Sequence, residues 1–386
     1  MKQQRKLNNI NKVVMITPTW NITIGGTAKV VYNLVKGIQV LNPAYKVHII
    51  TSDCGEDGDS DVSYMGNGMV SKVFRIIKIL RHFRPGVIHC HGRIHYLLIS
   101  YIYKILFDVN VKLICSFYTQ PPSREYLPKT LFTPKKSKLK RIKKEISTFI
   151  LNRTDWVVAN SNSLAENIKV SSGFMLRNPV KMIPSGVEAY NIHEKDVHDF
   201  VEKYSLQNAY PVFSTVGVFQ WDWKVAGILV LLKAFQEVVK QYPISRLVLV
   251  GDGQYRGLIE ENIEQLNVKE HVVMTGNVSN TFIPLAVTDI YCHMALNESC
   301  SVSILEAMIS GKPIIAAAAG GNSDLINDGE TGILVEPEVE SLRQAMLDLA
   351  QNRELAAKLG HTACVVAREN YNWNVITEKY LQLYLN

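Results

Sequence analysis

Apolar residues in this chain fall in short, nearly continuous runs rather than in strict alternation. The first series is "KVVMITPT" (12–19), "KVHIITS" (46–52), "GVIHCHG" (86–92), "VKLICSFY" (111–118) and "DWVVANS" (155–161). Helical spacing fills the intervals, as in "GTAKVVYNLVKGIQVL" (26–41) and "SKVFRIIKILRHF" (71–83). Strands without a polar face, separated by helices, predict a parallel sheet covered on both sides. After an irregular stretch near 184–210 the pattern restarts. It runs through "PVFSTVGVF" (211–219), "RLVLVGDG" (246–253), "HVVMTGN" (271–277), "TDIYCHM" (288–294) and "KPIIAAAAG" (312–320). Two such series predict an α/β protein of two doubly wound domains, with ligands at the carboxyl ends of the strands. The expected domains are 1–205 and 206–370. A closing amphipathic helix within 371–386 is expected to pack back on the first domain.

Composition adds limits. At 386 residues, 47% hydrophobic and 20% charged, the chain suits two or three cores. It has no apolar run of the roughly 18 residues that a bilayer span needs. "YLLISYIYKILF" (96–107) is too short, carries Lys104 and reads as a buried helix. The basic start "MKQQRKLNNINK" is followed by too short an apolar run for a secretory signal. The six cysteines form no C-x-x-C pair, so reduced cysteines and a cytoplasmic setting are expected. Charge is uneven. Residues 1–205 hold 30 basic against 15 acidic side chains, and residues 206–386 hold 12 against 20. The basic half should face something anionic.

Candidate chemistry sits where strands end. Gly25 and Gly26 lie between the first strand and the first helix, where a backbone can approach an anion at a helix N-terminus. Neither G-x-G-x-x-G nor a P-loop is present. His89 and His91 share a strand face without a third metal ligand at useful spacing. One imidazole hydrogen-bonding a substrate fits His91, and a satisfied structural role fits His89. Lys224 is expected in the loop after "VGVF", where an ammonium could meet a phosphate, although a solvated lysine would look the same. In "NESCSVSILEAM" (297–308) the serines predict a helix start near Ser301, with Glu298 before it and Glu306 more than a turn inside. The two carboxylates are then roughly 8–12 Å apart, flanking a positive helix end. A nucleotide sugar has that layout: hydroxylated ribose, diphosphate, hydroxylated hexose.

Taken in order, these segments resemble the retaining glycosyltransferases of the two-Rossmann-domain (GT-B) class, specifically the large fourth family. "IGGTAKVVYNLVKGI" is similar to the family's first glycine loop, and "HCHG" to its H-x-H segment. "VANSNSLAENI" and "IPSGVE" are similar to its inter-domain strand and turn, and "VGDGQYRGLIEE" and "VVMTGNVS" to middle strands of its second domain. "NESCSVSILEAMISGKPIIAAAAGGNSDLINDGETGILVEP" is similar to its paired-glutamate signature.

The resemblance implies two Rossmann-like domains facing each other across a cleft. The implied reaction is metal-independent transfer of a hexose from a nucleotide-diphosphate sugar, with UDP the expected nucleotide and configuration retained. No cofactor is expected beyond that co-substrate. Glu298 would hold donor-sugar hydroxyls, Glu306 the ribose, and Lys224 the departing diphosphate. Backbone N–H groups near Ser301 and Val302 would meet sugar and phosphate oxygens, His91 would bond the donor sugar, and Gly25 and Gly26 would admit donor or acceptor. The turn at Thr275–Val278, with Gly276 and Val278, would border the base. Departures are Val218 where arginine is common, Lys224 ahead of "VAG" rather than next to glycine, Ser301 for glycine, and Asp324 for glutamate. They leave open a degenerate paralogue that binds nucleotide sugar or serves as a partner subunit. A related reaction, phosphorolysis or epimerisation, is also open. Lys135, Lys136, Lys138, Lys140, Arg141, Lys143 and Lys144 crowd "TPKKSKLKRIKKEISTF" (133–149). This segment reads as a solvated helix face, or as a contact with anionic lipid on the inner face of the membrane bearing a glycan or lipid-linked acceptor. No nucleic-acid motif accompanies the charge.

Overall fold

The structure, a computed structural model, describes residues 11–20, 26–53, 61–119, 138–173 and 176–386, without the side chains of 138–143. Gly25, Lys135 and Lys136 therefore lie outside the described residues, as do the side chains of Lys138, Lys140, Arg141 and Lys143. Two compact units are formed. The first takes the described residues up to Gly186 together with Trp373–Asn386, and the second takes Val187–Asn372.

The first unit begins with β1 (Lys12–Thr17), α1 (Gly26–Leu41), β2 (Lys46–Thr51), β3 (Val62–Tyr64), α2 (Met69–Phe83) and β4 (Val87–His91). It continues through α3 (Ile94–Leu106), β5 (Lys112–Phe117), α4 (Lys138–Leu151), β6 (Trp156–Ala159), α5 (Asn162–Ser171) and β7 (Lys181–Met182). The strand order is β3-β2-β1-β4-β5-β6-β7, and every pairing is parallel. Successive side chains of a strand point to opposite faces. Val14 and Ile16 accordingly pack with residues of α2 and α3 on one side of the sheet. Val13 and Met15 pack with α1 on the other.

The second unit holds α6 (Glu194–Lys203), β8 (Val212–Val216), α7 (Asp222–Gln241), β9 (Arg246–Val250), α8 (Arg256–Gln265), β10 (Val272–Gly276) and α9 (Phe282–Ala286). Then come β11 (Ile290–His293), α10 (Val302–Ile309), β12 (Ile314–Ala317), α11 (Asn322–Leu325), β13 (Ile333–Val335), α12 (Val339–Gln351) and α13 (Arg353–Asn370). Its strand order is β10-β9-β8-β11-β12-β13, again parallel throughout. The order reverses between β1 and β4 in one sheet and between β8 and β11 in the other. Helices diverge to opposite faces there, and the carboxyl ends leave a crevice for a ligand.

Three sequence expectations are corrected. The units divide after Gly186 rather than at 205/206. The stretch read as irregular contains α6, whose Phe200 and Val201, with Tyr204 just beyond, pack beside Val212 and Val248 of the second sheet. A helix with so little apolar surface is recognisable only once its partner is known. The helix read as buried, α3, is buried only on its sheet side. Ile102, Ile105 and Leu106 of its outer stripe are exposed.

The last helix, α14 (Trp373–Leu385), belongs to the first unit. Its Ile376, Tyr380, Leu383 and Tyr384 join the α1 face of the core. Gly37 permits the contact, because a Cβ there would lie 2.2 Å from the Thr377 hydroxyl oxygen. Gly37→Ala should therefore cost about 1–3 kcal/mol by overpacking. The loss should appear in urea unfolding and be largely relieved in the Gly37→Ala/Thr377→Ala double variant.

Candidate active site

In the second unit the central strands β8 and β11 end side by side, and a pocket opens at their carboxyl ends. Thr215, Gly217 and Val218 line it from the β8 end, His293 and Met294 from the β11 end, and Lys224 from the helix that follows β8. Lys224 sits in the first turn of α7 rather than in a loop, and its backbone N–H donates to the Trp221 carbonyl at 3.0 Å. The helix thus fixes the lysine stem relative to the strand ends. Gly227, one turn on, allows the helix to lie this close. A Cβ there would lie 1.9 Å from the Met294 carbonyl oxygen.

Lys224 forms an ion pair with Glu298, both side chains being largely covered at 21% and 15% exposure. Burial alone would push the Glu298 carboxyl up. The Lys224 ammonium, helped by His293, outweighs it and holds the group below its ordinary value, so it is ionised at neutral pH. The backbone of Glu298 is held in turn by the loop after β12, where the Gly321 N–H donates to its carbonyl at 2.8 Å. Gly320 has φ +60, and a Cβ on it would lie 2.4 Å from that same oxygen. The loop after β12 therefore supports a site carboxylate.

Ser301 is the N-cap of α10, as its cap-type neighbourhood predicts, and its hydroxyl lies 3.0 Å from that of Ser303. Val302 is the first helical residue, so both stand at the positive end of the dipole. Glu306 is buried on the same helix and accepts a hydrogen bond from the Thr281 hydroxyl at 2.9 Å. Gly276 ends β10 with φ +70, and Val278 packs against the Val248 and Val250 cluster. Lys224 and Glu298 are thus joined directly. Ser301, Val302 and Glu306 share one helix.

The first unit carries the histidines. His89 is satisfied on both ring nitrogens, by the Tyr384 hydroxyl at 2.8 Å and the Ser116 hydroxyl at 2.7 Å. Its role is structural. His91, the last residue of β4, shares a 2.7 Å hydrogen bond with the Tyr118 hydroxyl through Nδ1. Its Nε2 has no partner among the described residues. Burial lowers its pKa to about 3, leaving a neutral imidazole. Gly26 opens α1 and is exposed, with open space where a Cβ would sit.

Sequence reasoning missed two residues here. His293 ends β11 as His91 ends β4. It is buried, its Nε2 lacks a partner among the described residues, and burial above all lowers its pKa to about 4. Its only signal was a polar residue ending an apolar run. Thr281, the partner of Glu306, carried no signal.

Residues 196–364 match the family model "Glycosyl transferases group 1" and residues 24–189 match "Glycosyltransferase Family 4". Among curated relatives, a sulfoquinovosyl transferase of Arabidopsis thaliana is 25% identical over 313 residues, 79% of this chain and 57% of its own. An N-acetyl-alpha-D-glucosaminyl L-malate synthase of Bacillus anthracis is 25% identical over 243 residues, 61% of each chain. The match therefore spans less than two thirds of either relative. Among solved structures, Anabaena HepE in complex with UDP superposes with a TM-score of 0.76 at 18% identity, covering 96% of this chain and 98% of that one. The sucrose-phosphate synthase of Thermosynechococcus elongatus gives 0.77 at 18% identity, covering 97% and 98%. The fold is that of GT-B glycosyltransferases.

The buried neutral histidines set an acid limit. Unfolding returns His91 and His293 to an ordinary pKa near 6.5, so below that pH the unfolded chain binds more protons. Their stabilisation is present above pH 6.5 and lost as pH falls toward their folded values. Each should remove up to about 1.4 kcal/mol per pH unit in that window. Urea titrations between pH 7.5 and 5.5 should show the decline, and His293→Phe should make it shallower by one histidine's share, with that of His91 and the likewise buried His89 remaining.

Proposed function

The chain belongs to the group 1, family 4-like glycosyltransferases, and from that premise we propose that it transfers a hexose from a UDP-sugar to a glycan hydroxyl. The reaction breaks the bond between anomeric carbon and diphosphate oxygen and forms one from the same carbon to the acceptor oxygen. The acceptor attacks from the face the nucleotide leaves, so configuration is retained, and the acceptor proton passes to the departing diphosphate. The observation that carries the reading is the Lys224–Glu298 pair at the β8/β11 crevice. A cation for the diphosphate and a carboxylate for sugar hydroxyls already stand side by side there.

In the proposed complex the Lys224 ammonium turns from Glu298 to the diphosphate. Glu298, ionised, accepts hydrogen bonds from sugar hydroxyls, and Glu306 accepts from the ribose. Fixed charges in a water-poor site stabilise the leaving group without the reorganisation that water would need. The N–H groups at Ser301 and Val302 add the field of a helix end. In the first unit, His91 is a neutral imidazole whose Nε2 has no partner among the described residues. UDP is favoured because HepE, of the same fold, was solved with UDP and with UDP-glucose. A cytoplasmic setting is supported by the described cysteines, all of them free. No described helix is long and apolar enough to cross a membrane.

Val218 favours a second reading. It is exposed, lines the cavity and adds no cation beside Lys224, as a nucleotide-sugar-binding subunit without turnover would permit. A thermal-shift screen with UDP, GDP, ADP and their sugar conjugates, followed by product analysis across acceptors, separates the two. The transferase reading expects a UDP-sugar hit, and a kcat for Lys224→Ala lower by about 10²–10³. Glu306→Ala should chiefly weaken nucleotide binding. Full transfer by Lys224→Ala would overturn the assignment, and donor binding without product would select the subunit.

A further inference from the structure

Helices on the outside of a sheet ordinarily turn a polar stripe to solvent. Three neighbours on one face of the first unit do not. On α3 the outward positions Ile105 and Leu106 are 60% and 65% exposed. Beside it, Val70 and Phe74 of α2 are 70% and 72% exposed. On the other side, Ile146 and Phe149 of α4 are 45% and 48% exposed. The three outer faces are continuous. Arg81 of α2 lies over the ring of Phe107 at the end of α3, 4.9 Å from its centroid. Tyr101 of α3 meets Phe149 of α4 edge-on at 6.3 Å.

Charge on the three helices is basic apart from the exposed Glu145 of α4. Helix α2 carries Lys72, Arg75, Lys78 and Arg81 and no acidic residue. Helix α3 also lacks an acidic residue, and its Lys104 is paired with Asp155 at 2.9 Å. Arg75, Lys78 and Arg81 are exposed among the apolar positions. Long basic side chains interleaved with apolar ones can bury their stems while their heads reach phosphate. An apolar patch of this extent on a soluble protein marks an interaction surface, and its basic interleaving matches anionic headgroups.

We propose that the outward faces of α2, α3 and α4 form a docking surface for an anionic lipid bilayer. The side chains enter the headgroup boundary without spanning the membrane. The proposal extends the transferase reading by naming the surface at which a membrane-borne acceptor would be met. Its test reads no transfer, so either can fail alone.

The full chain is sedimented with phosphatidylcholine vesicles, with and without phosphatidylglycerol, at low and high salt. Binding is expected only with the anionic lipid and should weaken with salt. The Ile105→Ser/Leu106→Ser double variant changes only exposed positions and should lower partitioning by about tenfold or more. Lys224→Ala should bind vesicles as the wild type does. Hydrogen exchange of the wild type, which needs no variant, should show α2–α4 protected when anionic vesicles are added. Equal partitioning of the double variant, or protection confined to other elements, would overturn the proposal. So would a wild-type dimer that ignores vesicles and becomes monomeric in the double variant, which would assign the face to a second copy.

Discussion

The contact between Lys224 and Glu298 is the constraint around which the second unit is arranged. An ion pair this well covered is stable only if neighbouring elements hold both partners in place, because each charge has given up water. Here α7 fixes the lysine by its first turn, and the loop after β12 grips the glutamate backbone through Gly321. Gly227 and Gly320 remove the side chains that would push these elements apart. The pair also makes the free state a competitor of the donor. Each partner already has a counter-charge, and a ligand must offer better ones to both.

Much of this was legible in the sequence because parallel sheets leave a strong record. Strands buried on both faces have no polar positions, so β1, β2, β4, β5 and β6 stand out as apolar runs, as do β8 to β12. The edge strands β3, β7 and β13 are too short to leave such a mark. Glu298, Ser301 and Glu306 were readable because their spacing relates directly to a helix start. Lys224 was readable by type but was expected in a loop rather than in the first turn of α7, since an extended and a helical first turn share the same letters. His293 and Thr281 were not legible. Their significance depends on which strand ends and helices lie beside them, which is a property of topology rather than of spacing.

The two histidine-ended strands show how one architecture is used twice. His91 ends β4 and His293 ends β11, and each strand lies at the reversal of its own sheet. In both places a neutral imidazole keeps one nitrogen without a partner among the described residues. An unpaired buried polar atom is costly. Its repetition at equivalent positions in two sheets marks both crevices as places where the fold gives up stability.

The hydrogen bond between His89 and Tyr384 joins a central strand to the final helix across 295 positions of sequence. Ile376, Tyr380 and Leu383 fill the same side of that core. During synthesis the first unit therefore waits for its last layer while all of Val187–Asn372 is made. At cellular elongation rates that interval is on the order of 10–40 s. Throughout it the α1 face of the sheet is incomplete and apolar. A ribosome-bound chain must keep that face from other chains, so of the two units the one begun first is the later to be completed.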